Sequence, residues 1–169
     1  MLMALFPPGK GGGEDVAHGF KGKGVTLHSL VDGNGMPLAI NSTPANAYEP
    51  DQVMLLIDAV HVHTGLPGRS RKCPVLLQAD AGYDTKRLRQ KLKSRGIQPR
   101  VSVNPRCRKK PKRGRPYAKT IDRWKCERTF AWYQRKFRRL VVRWERRNVY
   151  WHGFLAFGFC IIWIDRLVG

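Results

Sequence analysis

Acidic residues are scarce in this chain. Only 12 Asp and Glu stand against 32 Lys and Arg in 169 residues, so the net charge of +20 and the pI near 10.6 require an anionic partner. Nucleic acid is the first such partner to consider and an anionic membrane the second. The 42% hydrophobic content excludes a wholly disordered chain.

Cysteine is sparse too. Cys73, Cys107, Cys126 and Cys160 form no Cys-x-x-Cys pair and no His/Cys grouping of zinc-site spacing. Reduced thiols in a cytoplasmic protein are expected. The glycine-lysine loops at 7–13 and 19–24 lack the Gly-Lys-Ser/Thr ending of a P-loop, and read as flexible connections near a phosphate-bearing partner. Met1-Leu-Met-Ala-Leu-Phe6 is too short for a signal peptide and carries no basic residue. The apolar run at 149–164 holds His152, Gly153 and Gly158 and falls short of the ~20 apolar residues that span a bilayer. A buried C-terminal core helix is expected there, and no membrane partner.

What is present is unevenly placed. Residues 98–147 hold 19 Lys and Arg against Asp122, Glu127 and Glu145, a net +16 of the chain's +20. The rest is nearly neutral, the pattern of an ordinary folded half joined to a polyanion-binding half. At this length a single domain over 1–169 is expected.

Taken in order, Val25-Thr-Leu-His-Ser-Leu-Val31 and Pro37-Leu-Ala-Ile-Asn-Ser-Thr43 alternate as strands around the turn Asp32-Gly-Asn-Gly35. Asp32 is thereby a turn former. Residues 50–62 place Val53, Leu56, Ile57 and Val60 at helical spacing, with Pro50 in the first turn. His61 and His63 follow as exposed polar side chains at the helix end, with metal ligation the competing reading. Residues 73–79 form a short apolar run of the buried parallel-strand kind. That run ends on Asp80, at the strand edge where α/β proteins build sites.

Residues 85–95 predict a cationic helix with Leu88 and Leu92 inward and Gly96 as its stop, and residues 98–103 a further strand. The class is therefore α/β. Residues 106–115 pack seven cations among Pro and Gly, so the loop at 104–120 is expected to be disordered alone and to order on a phosphate backbone. From Asp122 onward Cys126, Phe130, Tyr133, Phe137, Leu140, Val141 and Trp144 predict one long helix with a core-facing stripe. Arg128, Arg135, Arg139 and Arg146 form a cationic stripe on the same helix. Trp124, Trp132 and Tyr133 fit either core packing or base stacking.

Asp80 at a strand end and Glu127 on a later helix are candidates for one site. Carboxylates of this kind can hold two Mg²⁺ about 4 Å apart and activate a nucleophile against a phosphodiester. The competing reading makes Glu127 the ion-pair partner of Arg123, four residues earlier.

Three segments carry a resemblance: Gly22-Lys-Gly-Val-Thr-Leu-His-Ser-Leu-Val-Asp-Gly-Asn-Gly-Met-Pro-Leu38, Ala79-Asp-Ala-Gly-Tyr-Asp84, and Arg123-Trp-Lys-Cys-Glu-Arg-Thr-Phe-Ala-Trp-Tyr-Gln-Arg-Lys-Phe-Arg-Arg-Leu140. Together they resemble bacterial insertion-sequence transposases of the DDE class, in the insertion-sequence-four and -five superfamily, from about residue 7 to residue 167. The resemblance implies a ribonuclease-H-like mixed sheet flanked by helices, and strand cleavage and transfer at element ends. Asp80 and Glu127 correspond to the second and third acids, as catalytic residues and ligands of two Mg²⁺. Arg123 matches the arginine of the family's Tyr-Arg-Glu-Lys signature, whereas Thr120 stands in place of its tyrosine and Gln134 of its lysine.

DNA contacts are expected from Arg123, Arg128, Arg135, Arg139, Arg108, Lys109, Lys110, Lys112 and Arg113. Implied partners are element-end and target DNA, a homo-oligomer on that DNA and a polypeptide from an upstream frame; the setting is the bacterial cytoplasm, at the nucleoid. The family's first acid opens the first strand, where this chain reads Met1-Leu-Met-Ala-Leu-Phe6, and no carboxylate precedes Glu14. An N-terminally truncated domain, inactive alone, is the expectation. The alternative is a non-catalytic basic DNA-binding protein or transposition inhibitor.

Overall fold

The computed structural model describes residues 1–62, 67, 73–102 and 123–169. The loop at 104–120, with Arg108, Lys109, Lys110, Lys112 and Arg113, lies outside the described residues, as do Cys107, Asp122 and His63. In chain order the elements are β1 (Leu2–Leu5), β2 (Ala17–Gly19), β3 (Gly22–Val31), β4 (Pro37–Pro44), α1 (Glu49–Asp58), β5 (Leu76–Ala79), α2 (Lys86–Ser94), β6 (Gln98–Val101), α3 (Arg123–Lys136) and α4 (Asn148–Val168).

The hairpin of β3 and β4 forms as its turn chemistry predicts. Asp32 Oδ1 accepts from the backbone N–H of Asn34 and of Met36, each at 2.8 Å, and Gly35 supplies the positive φ of 82° that closes the turn. Along its other edge β3 pairs antiparallel with β2 and with β1, whose Leu2 stands opposite Leu30. β1 then meets β5 in parallel, and β5 meets β6 in parallel. The sheet is mixed, antiparallel on one side of β1 and parallel on the other.

Helices cover both faces. α1 and α2 bury Val53, Leu56, Ile57, Leu88 and Leu92 against Leu2 and Leu77, each such side chain contributing about 1.5–3 kcal/mol. Thr85 Oγ1 caps α2 by accepting from Leu88 N at 3.2 Å. On the other face Val25 and Leu27 of β3 pack with Tyr133 of α3 and with Trp151 and Leu155 of α4.

One helix was expected through residue 144, and α3 stops at Lys136 instead. Phe137 leaves the helical region at φ −122°, ψ 90°, and a 3₁₀ turn follows over Arg138–Leu140. Tertiary pairing overrides the heptad-like spacing. Arg143 N donates to Pro8 O at 2.8 Å and Glu14 N to Arg146 O at 2.8 Å, so residues 143–146 run beside the first glycine-lysine loop. Phe137 and Leu140 meanwhile settle on Gly158 of α4, where a Cβ would lie 3.3 Å from both. Cys126, Phe130, Tyr133 and Leu140 are buried as expected, but Val141 and Trp144 are exposed and the cationic stripe is split between segments.

The glycine loop is not the loose connection its composition suggests. Gly13 has φ +99°, and a Cβ on it would sit 2.2 Å from Arg146 O. α4 also differs from the expected buried helix. It is long and apolar enough by length and composition to cross a membrane, yet it lies on the core through Trp151, Leu155, Gly158 and Ile162, and Trp163 Nε1 donates to Pro37 O at 2.8 Å. Val149, Tyr150, Phe157, Ile164 and Leu167 remain exposed on it. Cys73, Cys126 and Cys160 are free thiols.

Replacing Gly13 by Ala is expected to cost about 2–4 kcal/mol by denaturant unfolding, since strain and clash add. Gly12→Ala, at φ +62° with nothing within 4 Å of the added Cβ, should cost only about 1 kcal/mol. Equal losses would mean that the close approach of residue 146 contributes nothing.

Candidate active site

Asp80 sits at the carboxyl end of β5, where the parallel strands stop. Its Oδ1 accepts from Ala81 N at 2.7 Å and so starts the 3₁₀ turn Ala81–Tyr83. That turn drives Tyr83 into the core, where its hydroxyl lies 3.0 Å from His28 Nδ1. Thr43 Oγ1 holds the other ring nitrogen of His28 at 2.9 Å. Both rings are fully buried. Burial pushes the Tyr83 hydroxyl up, helped by the carboxylates of Glu49 and Asp80, and lowers the imidazole of His28 to about 4.

Glu127 comes to the same edge on α3. Arg123 links the two expected acids, donating from Nε to Glu127 Oε1 at 2.8 Å while an Nη lies 3.8 Å from Asp80 Oδ2. Asp80 and Glu127 are 38% and 54% exposed at the side chain, so solvent weakens both ion pairs. Glu127 thus forms the ion pair with Arg123 and, through it, neighbours Asp80.

A third corner is occupied by Met3. Leu2 stands opposite Ala79, which brings Met3 level with Asp80 and, by strand alternation, to the same face. There Met3 packs with Cys126 and Phe130 of α3, next to Glu127. Glu14 and Asp15 do not reach this corner: Glu14 Oε2 accepts from Asn148 N at 2.7 Å, and Asp15 accepts from the Asn148 side chain, both at the start of α4.

Neighbouring carboxylates at a strand edge are the donor type that a divalent metal centre uses. The described residues do not complete such a centre. Among the described residues no three His, Cys, Asp or Glu side chains converge as ligands, and the third corner is a thioether-bearing apolar side chain.

Sequence reasoning missed Glu49, which begins α1 beside the site. A Cβ on Gly82 would lie 3.0 Å from Glu49 Oε2. Burial raises the Glu49 carboxyl; Lys21 pulls it down and Asp80 pushes it up. Only the return of α1 over the strand ends reveals it, and no local spacing could have. Cys126, behind Glu127, is pushed up to about 12 by burial, opposed by the N-terminal ammonium.

The expected DNA-contacting residues separate into groups. Arg123 and Arg135 are exposed on α3. Arg128 instead packs inward: it donates to Asn34 O, and its guanidinium lies 5.0 and 4.9 Å from the ring centroids of Trp124 and Trp132. Arg139 lies beyond α3, 3.3 Å from Glu145 and over Phe154. Of the three aromatics that fit base stacking or core, Tyr133 is core, Trp132 is half-buried, and Trp124 is 53% exposed. α2 adds Lys86, Arg87, Lys91 and Lys93 as a second exposed basic surface.

A mixed sheet with helices on both faces, and two acids gathered by an arginine at its parallel edge, defines an α/β domain with a carboxylate pair at the strand ends. Residues 7–162 match the family described as the Transposase DDE domain, and the chain belongs to that family. It is 39% identical over 139 residues to the transposase assigned to insertion sequence element IS402 of Burkholderia cepacia, covering 82% of this chain and 62% of that protein. It is 32% identical over 121 residues to the transposase for insertion sequence element IS1106 of Neisseria meningitidis serogroup B, covering 68% of this chain and 37% of that protein. The chain therefore spans under two thirds of the length of either relative. No solved structure matches it.

The buried His28 makes the site acid-labile. Its folded value near 4 lies below the ordinary 6.5, so between those values the unfolded chain binds a proton that the folded one refuses. Stability is complete above pH 6.5 and falls as pH drops toward 4, by up to about 3 kcal/mol. Urea unfolding at pH 7 and pH 4.5 should show this loss, and His28→Gln should flatten it. An unflattened profile would place the acid sensitivity elsewhere.

Proposed function

We propose that residues 1–169 belong to the single catalytic domain of an insertion-sequence transposase, with a ribonuclease-H-like sheet, whose DNA strand cleavage and transfer need a third acid that Met3 does not supply, so that the chain by itself is inactive. The observation that carries this reading is the meeting of Asp80 and Glu127 across Arg123 at the edge of the parallel strands, in a chain of the Transposase DDE domain family. The strand order β4-β3-β1-β5-β6, reversing sense at β1, supports the fold assignment. In a complete site Asp80 and Glu127 would supply two of three carboxylates for two Mg²⁺. The exposed cations Arg123 and Arg135, with Lys86, Arg87, Lys91 and Lys93 of α2, would hold DNA phosphates, and Arg139, Arg108, Lys109, Lys110, Lys112 and Arg113 are further candidates for DNA contact. Element ends and target DNA are the substrates in this reading, a homo-oligomer and an upstream-frame polypeptide its assembly partners, and the cytoplasm with its nucleoid the setting.

Met3 at the third corner favours a second reading for the chain by itself: a DNA-binding, non-catalytic protein that competes for element ends. Here the basic surfaces act alone, and their affinity falls steeply with salt.

The two readings agree that the unaltered chain binds DNA and does not cut it. Gel-shift titrations should give Asp80→Asn and Glu127→Gln affinities within about twofold of the parent, because neither acid holds phosphate. Met3→Asp should add a third carboxylate and produce a Mn²⁺-dependent rise in melting temperature that Met3→Leu lacks. Nicking of element-end DNA by the unaltered chain, surviving Asp80→Asn, would overturn the site. A metal-independent Met3→Asp would leave only the competitor reading.

A further inference from the structure

The turn that closes the β3–β4 hairpin also grips α3. Its donors are used within the turn: Asn34 N and Met36 N go to Asp32 Oδ1 at 2.8 Å each, and Gly35 N to Asp32 O at 3.3 Å. Its carbonyls point outward. An Nη of Arg128 donates to Asn34 O, and the Thr129 hydroxyl donates to Gly35 O. Two successive turn carbonyls thus meet the two residues that directly follow Glu127.

Both sides of this contact are shaped for close approach. Gly35 has φ +82°, and a Cβ on it would lie 2.9 Å from an Arg128 Nη and 3.1 Å from Lys125 O. Thr129 is fully buried, with its hydroxyl also 3.0 Å from Lys125 O. The Gly35 contact is the shorter of the two, so the single hydroxyl proton serves the turn. The Arg128 guanidinium lies at 5.0 and 4.9 Å from the rings of Trp124 and Trp132, one helical turn before and after it. Its Nε is buried with no hydrogen-bond partner among the described residues. Stacking and the Asn34 contact therefore fix its plane.

Glu127 has little else to orient it. Its partner Arg123 is 56% exposed at the side chain, and an ion pair at that exposure is a weak restraint. Met3, Cys126 and Phe130 hold α3 by apolar packing, which has no preferred direction. A helix turned by ~20° about its axis carries a group ~5–6 Å from that axis through ~2 Å. Hydrogen bonds to two fixed carbonyls resist such a turn, because they weaken steeply off line.

We propose that Arg128 and Thr129 are positioning residues for Glu127: through Asn34 O and Gly35 O, the hairpin turn sets the rotation of α3 that brings Glu127 and Asp80 to the one guanidinium of Arg123. The chemical value of that meeting rests on reading the two acids as metal-holding carboxylates. The positioning itself does not.

The test takes the whole chain and reads proton cross-relaxation from Arg123 Hδ to the side chains of Asp80 and Glu127. Thr129→Val keeps the shape and removes the hydroxyl; it should weaken the Arg123–Asp80 signal by about fivefold or more, as a ~2 Å displacement does through the inverse sixth power of distance. Arg128→Lys, which keeps the charge and loses the planar stack, should weaken it likewise. Thr129→Ser should keep it within about twofold, since the donor remains. Ile57→Val, a truncation on the other face of the sheet, should leave it in place while lowering the melting temperature. The Arg123–Glu127 signal, internal to α3, should persist in every variant and shows that the helix is intact. An Arg123–Asp80 signal at parent strength in Thr129→Val and Arg128→Lys overturns the proposal. So does an equal loss in Ile57→Val, which would reduce the effect to stability. Adding Met3→Asp to each chain separates the positioning from the metal reading: Mn²⁺ affinity should fall about tenfold with Thr129→Val and be kept with Thr129→Ser. If no Met3→Asp chain binds Mn²⁺ and the signals still follow this pattern, the positioning stands and the metal role of the pair falls.

Discussion

Four residues hold this sheet together. β1 lies between an antiparallel neighbour and a parallel one, with Leu2 opposite both Leu30 and Ala79, and it is the only described strand that joins the hairpin to the β5–β6 pair. Because strand side chains alternate, its register decides what faces what across the whole domain. Leu2 goes down among α1 and α2; Met3 goes up beside Asp80 and under α3. A slip of one residue would exchange the faces of Leu2 and Met3, setting each in the wrong cluster.

Charge acts on top of that frame. In so basic a chain several acids meet cations, among them Asp58, Asp80, Asp84, Glu127, Glu145 and Asp165, and the ones near the strand ends are used locally. Asp84 pairs with Arg89 at 2.7 Å and is buried, fixing α2 against β6, where Arg89 also reaches Val101 O. Arg143 is buried as well; desolvation lowers its guanidinium while Asp15, Glu145 and Glu14 pull it back, and Asn148 Oδ1 accepts from it at 2.6 Å. Arg123 does at the surface what Arg143 does inside, drawing carboxylates together. The difference lies in solvent: the Arg123 pairs can exchange for other ligands, and the Arg143 cluster cannot do so without unfolding the loop beside it.

Much of this was legible in the residues. The Asp32 turn, the stop at Gly96 and the apolar run ending on Asp80 each depend on chemistry within a few positions, so local reading suffices for them. The same holds for Glu127 and Arg123, one helical turn apart on α3. Phe137 shows where local reading fails. Its spacing continues a helix, but the packing of Leu140 on Gly158 and the pairing of Arg143 with Pro8 come from partners about 18 and 135 positions away. Glu49, Tyr83 and His28 likewise meet only because α1 and the Ala81–Tyr83 turn close over the same end of the sheet.

The sequence by itself determined the class, the basic character and the family, because composition, alternation and short motifs are properties of neighbouring residues. It also determined that acids would be few and conspicuous. Tertiary structure alone decided that α3 ends at Lys136, that Arg128 is stacked between tryptophans, and that Met3 stands level with Asp80. Those outcomes rest on register between strands and on close approach of distant backbone, and neither quantity is written in any single stretch of chain.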